Sequence, residues 1–256
     1  MKKLGTLSFV AAMLMSMMLL TVAAKPAQAF CQHMFIPSYF YPGSLWTQAD
    51  AGAPIVDVMV MNPASGPGTS SNSDYVTAVQ NARNAGIKVL GYVHTTYGQR
   101  NIDTVKGEVD TYLGWYNISG IFLDEVNSSA AGIPYIQNVS GYIKATAAPF
   151  VTLNPGTIPD QGYINLSDTT VIFEGTYNTY KTWTPPSWVN SYASSKFTHL
   201  VYATSSTTKM NDAVTKAKSR NAGYVYVTND VLPNPWDTLP SFWNSELTKI
   251  NASSTC

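Results

Sequence analysis

The sequence predicts one α/β domain, a single (β/α)8 TIM barrel, over residues 30–256. Eight short apolar runs alternate with segments long enough for a crossover helix, which is the repeat of parallel β/α units. Most runs are apolar throughout, as expected of strands covered on both faces. A doubly wound open sheet is the alternative, but no glycine-rich phosphate loop follows the first run. The predicted strands are Met34–Tyr39, Ile55–Met61, Lys88–His94, Gly120–Glu125, Phe150–Asn154, Val171–Gly175, Thr198–Ala203 and Tyr224–Thr228.

Two connecting segments have the apolar spacing of amphipathic helices, Asp74–Ala85 and Lys209–Ala222. Both end in the same tetrapeptide, Arg-Asn-Ala-Gly, directly before a predicted strand. We expect the two glycines, Gly86 and Gly223, to take the left-handed conformation that ends a helix. The crossover at Gln161–Ser167 has room for a short helix at most.

The first 29 residues predict an exported protein. Two lysines, an apolar run and the small-residue site Ala27–Ala29 form a secretory signal peptide over residues 1–29. No other long apolar segment follows, so we expect a secreted, extracellular, monomeric product without a membrane contact. Cleavage would remove three lysines and no acid, and the small negative charge that is left argues against nucleic acid as a partner.

Two cysteines remain after cleavage, Cys31 and Cys256, and an oxidising compartment favours a disulfide between them. Such a bridge requires the chain ends to meet, as they do when a barrel closes on its first strand. The three histidines, His33, His94 and His199, lack the spacing of metal ligands, so we expect no metal and no cofactor.

The residues at the carboxyl ends of the predicted strands indicate a sugar ligand. In a barrel the active site lies at this end of the strands. Aromatic rings beside amides and hydroxyls suit a neutral polysaccharide, whereas phosphate or carboxylate substrates would require Arg or Lys, which this set lacks. Trp46, Trp183 and Trp236 in the loops are either sugar platforms or loop anchors. The candidate substrate-binding residues are Tyr39, Asn62, Tyr92, His94, Asn154, Tyr177, Tyr202 and Asp230.

Acids end two of the predicted strands, and these acids are the candidate catalytic residues. Asp124 and Glu125 end the fourth strand, and Glu174 ends the apolar run of the sixth. An apolar run that stops at an acid costs desolvation energy unless the acid emerges into a polar cleft. Side-chain alternation directs Asp124 and Glu174 into the barrel mouth and leaves Glu125 at the rim. Such a pair is typical of glycosidases, in which one carboxyl donates a proton and the other attacks the sugar or activates water.

Five segments in or directly after the first five predicted strands are distinctive in combination: Phe35–Tyr39, Asn62-Pro63, Gly91-Tyr92-Val93, Gly120–Glu125 and Asn154-Pro155-Gly156. Together they resemble the spherulation-specific family 4 (spherulin 4-like) proteins. The resemblance runs over essentially the whole chain after the signal peptide. It implies a (β/α)8 barrel related to glycoside hydrolase family 135.

The resemblance also implies an activity, which is endo-acting cleavage of α-1,4-linked N-acetylgalactosamine stretches in exopolysaccharides of the biofilm matrix. The acids of the family fall on Asp124, Glu125 and Glu174. Analogy with neighbouring families makes Asp124 the nucleophile and Glu174 the acid/base. Two alternatives stay open at this point: a non-catalytic carbohydrate-binding or surface structural barrel, and a hydrolase of a different amino-sugar glycan.

Overall fold

The chain forms a closed barrel of eight parallel strands in a computed structural model that describes Met1 and residues 31–253. Strands adjacent in sequence are adjacent in the barrel, and the last strand pairs with the first. The predicted (β/α)8 fold is confirmed, and the open sheet is excluded because the ring is closed. The strands are β1 (His33–Ser38), β2 (Val56–Met61), β3 (Lys88–His94), β4 (Gly120–Asp124), β5 (Phe150–Leu153), β6 (Thr169–Thr176), β7 (Phe197–Tyr202) and β8 (Tyr224–Val227).

All eight predicted strands are present, and the largest difference in bounds is at β6, which begins at Thr169 rather than Val171. Thr169 and Thr170 are fully buried. The hydroxyl of Thr169 lies 2.8 Å from the hydroxyl of Thr198 on β7. A hydroxyl that is hydrogen-bonded inside the sheet lets threonine occupy a buried strand position, which a search for apolar runs does not detect.

The helices pack on the outer face of the barrel. The crossover between β5 and β6 contains a 3₁₀ turn and no α-helix, in agreement with its short length. The α-helices of the described residues are α1 (Ser44–Asp50), α2 (Ser73–Asn84), α3 (Ile102–Trp115), α4 (Ile133–Lys144), α5 (Tyr177–Tyr180), α6 (Thr207–Ser219) and α7 (Trp243–Ser253). The 3₁₀ turns are Thr96–Gly98, Ala130–Gly132, Gln161–Leu166, Ser187–Ser191 and Ser194–Lys196.

The repeated tetrapeptide ends two helices in two different ways. After α2, Gly86 has a φ of +93°, so the predicted left-handed cap is confirmed. After α6 the prediction for Gly223 is wrong, because Asn221 takes the left-handed conformation with a φ of +61°. Asparagine tolerates this region better than most residues. Gly223 is required for another reason, since a Cβ atom there would lie 2.8 Å from the carbonyl carbon of Ser194.

Residues 2–30 and 254–256 lie outside the described part of the chain. Apart from Met1, the predicted signal peptide falls there, and so does Cys256. The signal peptide and the Cys31–Cys256 disulfide therefore stay predictions. Among the described helices, none combines the length with the apolar character that crossing a bilayer requires.

Gly91 in β3 allows α3 to lie close against the barrel, because a Cβ atom there would lie 2.7 Å from Cγ of the buried Tyr112. We expect Gly91→Ala to lower the free energy of unfolding by about 1–3 kcal/mol, measured by urea denaturation. Gly107 on the exposed side of α3 is the matched control, since a Cβ atom there meets no atom within 4 Å. Gly107→Ala should raise the free energy of unfolding by about 0.5–1 kcal/mol. Equal stability of Gly91→Ala and the wild type would contradict the close approach.

Candidate active site

The carboxyl ends of β4, β5 and β6 bring three of the predicted site residues into hydrogen-bonded contact. Asp124 is the last residue of β4, Asn154 directly follows β5, and Glu174 lies in the second half of β6. The side-chain nitrogen Nδ2 of Asn154 donates to Asp124 Oδ1 and to Glu174 Oε2, each at 2.8 Å. The two carboxyl oxygens bound to that nitrogen therefore cannot be separated by more than twice this distance.

The orientation of the Asn154 amide is fixed by its own oxygen and by its main chain. Asn154 Oδ1 accepts a hydrogen bond from Gly156 N–H at 2.9 Å, which directs the NH2 group toward the two acids. The main-chain N–H of Asn154 donates to the Leu123 carbonyl at 2.8 Å, and Val126 N–H donates to the Asn154 carbonyl at 3.0 Å. The main chain on both sides of Asp124 thus holds the amide that binds its carboxylate.

Asp124 is partly buried, and each of its carboxylate oxygens accepts a hydrogen bond. Tyr92 OH donates to Asp124 Oδ2 at 2.8 Å, while Asn154 binds the other oxygen. Burial raises the pKa of Asp124 above its ordinary value, and the charge of Glu125 adds to the rise. Hydrogen bonds from Tyr92, from the Glu125 main chain and from Asn154 oppose part of that rise. The result is a partly desolvated carboxyl whose ionised form is held by the Tyr92 hydroxyl and the Asn154 amide.

Glu174 accepts a hydrogen bond from Asn154 and has a charged neighbour. Burial raises its pKa, and the negative charge of Asp124 raises it further. The hydrogen bond from Asn154 and the indole of Trp236, in the loop after β8, lower it in part. Two adjacent carboxyls that both resist ionisation favour a state in which one is ionised and the other keeps its proton.

An aromatic floor supports the pair. The ring of Tyr92 packs edge to face against Tyr39 at a centroid distance of 5.6 Å and stacks on Phe122 at 6.2 Å. Burial and the charge of Asp124 raise the pKa of both tyrosine hydroxyls well above the ordinary value. Both phenols therefore stay protonated at neutral pH and can donate hydrogen bonds.

Glu125 lies at the rim, where side-chain alternation placed it. Its carboxylate oxygen Oε2 is 3.5 Å from His94 Nδ1, and both side chains are partly exposed. The main chain of Glu125 has a φ of +51°, a conformation that is uncommon for residues other than glycine. Its carbonyl accepts hydrogen bonds from Tyr97 N–H at 2.6 Å and from the Thr95 hydroxyl at 2.8 Å.

Three further candidate residues make contacts outside the Asp124–Asn154–Glu174 cluster. Asn62 Oδ1 accepts a main-chain N–H of its own loop at 3.1 Å. Tyr177 OH donates to Asp212 on α6 at 3.0 Å, so its hydroxyl is directed toward a helix. Asp230 follows β8 and accepts a hydrogen bond from the neighbouring asparagine amide at 3.1 Å. Their roles in sugar binding stay predictions.

Trp236 is the site residue that sequence reasoning did not separate from the other loop tryptophans. Its indole lies close enough to Glu174 to lower the pKa of that carboxyl, and its ring packs edge to face on the candidate residue Tyr202 at a centroid distance of 6.1 Å. Trp46 is 1% exposed in α1, and Trp183 packs in an aromatic cluster behind β6, so both are anchors. The Asn-Pro-Trp-Asp segment after β8 predicts a turn, but its sequence does not predict that Trp236 lies beside Glu174.

Comparison with known proteins places the chain in a family. A sequence model of the spherulation-specific family 4 matches residues 33–250. Spherulin-4 of Physarum polycephalum is 36% identical over 232 aligned positions, and the match covers 86% of this chain and 70% of that protein.

Solved structures share the barrel. The crystal structure of Aspergillus clavatus Sph3 in complex with GalNAc is similar with a TM-score of 0.77 at 24% identity, over 86% of this chain and 97% of that chain. A glucosidase from Croceicoccus marinus has a TM-score of 0.52 at 11% identity, over 90% of this chain and 68% of that chain. At these identities the two structures establish a common fold. The family match and the Physarum relative show that the chain belongs to the spherulation-specific family 4.

Proposed function

We propose that this protein is a secreted, endo-acting glycoside hydrolase that cleaves α-1,4-linked N-acetylgalactosamine in a galactosamine-containing exopolysaccharide. The observation that carries the proposal is the binding of Asp124 and Glu174 to one amide nitrogen of Asn154 at the barrel mouth. Two carboxyls that flank one bond are what hydrolysis of a glycosidic linkage requires. Sph3, which has a similar barrel, was crystallised with GalNAc, and this supports the choice of sugar.

Asp124 is assigned as the nucleophile and Glu174 as the acid/base. Asp124 accepts hydrogen bonds from Tyr92 and from Asn154, whereas Glu174 shares only the Asn154 amide, and this favours the ionised form of Asp124. The charge of Asp124 helps Glu174 to keep its proton, which is what protonation of the leaving glycosidic oxygen needs. The neutral hydroxyl of Tyr92 holds the oxygen of Asp124 that Asn154 does not bind.

The spacing of the acids favours a double displacement. Retaining glycosidases hold their carboxyls about 5–5.5 Å apart, whereas inverting enzymes leave about 6.5–9.5 Å for a water molecule. The shared nitrogen, at 2.8 Å from one oxygen of each acid, limits the separation of these two oxygens and so favours the closer class. Asp124 attacks the anomeric carbon while Glu174 protonates the leaving oxygen. Glu174 then takes a proton from the water that releases the sugar from Asp124.

The signal-peptide pattern of residues 1–29 supports action outside the cell, on the polysaccharide of a biofilm matrix. The aromatic and amide groups around the mouth offer ring faces and hydrogen bonds to a neutral amino sugar.

We expect Asp124→Asn and Glu174→Gln each to lower the hydrolysis rate of α-1,4-linked N-acetylgalactosamine polymer by about 10³-fold or more, because each removes a reacting group. The measurement is the release of reducing ends, with mass spectra of the products to show internal cleavage. Asp110→Asn is the control, since Asp110 is exposed on the outer helix α3, and its activity should equal that of the wild type.

Full activity of either Asp124→Asn or Glu174→Gln would contradict the proposed mechanism. Binding of the polymer by a wild type that releases no reducing ends would favour the non-catalytic barrel. Cleavage of another amino-sugar polymer instead would contradict the proposed substrate but not the proposed mechanism.

The Glu174 carboxyl is expected to lower the free energy of unfolding at neutral pH. Because the folded-state pKa of Glu174 is raised, its contribution to stability is complete below the unfolded pKa of about 4.3 and is lost as the pH rises through the folded value. Glutamine does not titrate, so Glu174→Gln should increase the free energy of unfolding by on the order of 1 kcal/mol at about pH 7. The gain should disappear near about pH 4. A loss of stability at neutral pH in urea denaturation would contradict this.

A further inference from the structure

The loop after β3 contains an unusual run of left-handed main chain. Thr96, Tyr97 and Gly98 have φ values of +46°, +55° and +83°. Only the last is a glycine, and a β-branched residue such as Thr96 is rarely found in this region. Conformations of this kind cost free energy and persist only where surrounding contacts impose them.

The surrounding contacts tie this loop to the loop after β4. Tyr97 N–H donates to the carbonyl of Glu125 at 2.6 Å, and Glu125 itself has a φ of +51°. Asn127 Nδ2 reaches the carbonyl of Tyr97 at 3.4 Å, and Thr96 Oγ1 lies 3.2 Å from His94 Nδ1. The strained turn therefore sits directly beside the residue that follows Asp124.

The side chain of Tyr97 does not account for the strain. It is 56% exposed. With the residues that the structure describes, its hydroxyl makes no hydrogen bond and its ring makes no aromatic contact. Tyr41 on the same face is equally exposed, at 58%, but its hydroxyl donates to Asp74 at 2.8 Å and its ring packs on Tyr75. A glycine at position 97 would hold the turn with less strain, so a tyrosine there has no structural benefit within the folded chain.

We propose that Tyr97 is a stacking platform for a second pyranose ring of the glycan, at a subsite next to the cleaved linkage. This inference rests on the proposed function, because it assigns the ring to the same polysaccharide chain. The C–H face of the sugar packs on the exposed phenol ring, and the partly exposed His94 and Glu125, which contact the same turn, offer polar groups for its hydroxyl or amide groups. The hydrogen bond from Tyr97 N–H to the Glu125 carbonyl ties the main chain of the platform to the residue that follows Asp124.

The test is a series of variants that separates the ring from the strain. Tyr97→Phe keeps the ring, Tyr97→Ala removes the ring but keeps a strained side chain, and Tyr97→Gly removes both. Ser65→Gly is the matched control, because Ser65 is exposed and has a φ of +52° but carries no ring. Dissociation constants are measured by calorimetry for α-1,4-linked N-acetylgalactosamine oligosaccharides, with each change made in the Glu174→Gln background so that nothing is cleaved. Urea midpoints are measured for the same proteins.

We expect Tyr97→Phe to bind within twofold of the parent, and Tyr97→Ala and Tyr97→Gly to bind roughly tenfold more weakly. Tyr97→Gly and Ser65→Gly should both raise the urea midpoint, while Ser65→Gly leaves binding unchanged. Unchanged binding in Tyr97→Ala and Tyr97→Gly, or a lower urea midpoint for Tyr97→Gly, would overturn the proposal.

Loss of the proposed function gives a different result. In one outcome the unaltered chain binds the oligosaccharides without cleaving them, and single-site Tyr97 variants bind them more weakly. This result would support the stacking platform and contradict the proposed hydrolase activity. A protein that binds none of these oligosaccharides would overturn the platform and the choice of sugar together.

Discussion

The side-chain amide of Asn154 is the contact on which the candidate site depends. It provides two N–H groups to two partly buried carboxyls that come from different strands, Asp124 of β4 and Glu174 of β6. Without a shared donor, two partly desolvated acids so close together would repel each other or leave buried oxygens unpaired. The amide also sets their separation, and the separation decides which displacement is possible.

The barrel supplies this contact through its main chain. The carboxyl ends of the parallel strands lie at one face of the barrel, and strands that are consecutive in sequence are neighbours. The carboxyl ends of β4, β5 and β6 therefore lie side by side at that face. The hydrogen bonds between the Asn154 main chain and the chain around Asp124 fix the amide in the direction that both acids need. This arrangement costs free energy in two ways: the pKa values of both acids are raised, and the main chain of Glu125 and Tyr97 is left-handed. The buried apolar strands beneath are what keep these costly conformations in place.

Much of this architecture follows from the sequence pattern, and the exceptions have physical reasons. Uniformly apolar runs predict the eight strands, and alternation along Gly120–Asp124 predicts the inward direction of Asp124. The sequence predicts Asn154 as a sugar contact, and this stays a prediction. It does not predict that the NH2 group binds two acids, because hydrogen-bond partners on other strands are not visible in a local pattern. For the same reason the bond from Tyr177 to Asp212 and the approach of the Trp236 indole to Glu174 could not be predicted. The buried start of β6 was missed because threonines look polar in sequence and are satisfied only in the assembled sheet.

The central claim, that one amide nitrogen holds the two acids close together, is tested most directly by the anomeric configuration of the first product. Proton NMR during early hydrolysis of α-1,4-linked N-acetylgalactosamine oligosaccharides distinguishes α from β reducing ends before mutarotation. The spacing set by Asn154 predicts the α product, with retention through a covalent sugar on Asp124. A β product formed first would mean that water attacks directly across a wider gap, and the account of the bridged acids would be contradicted.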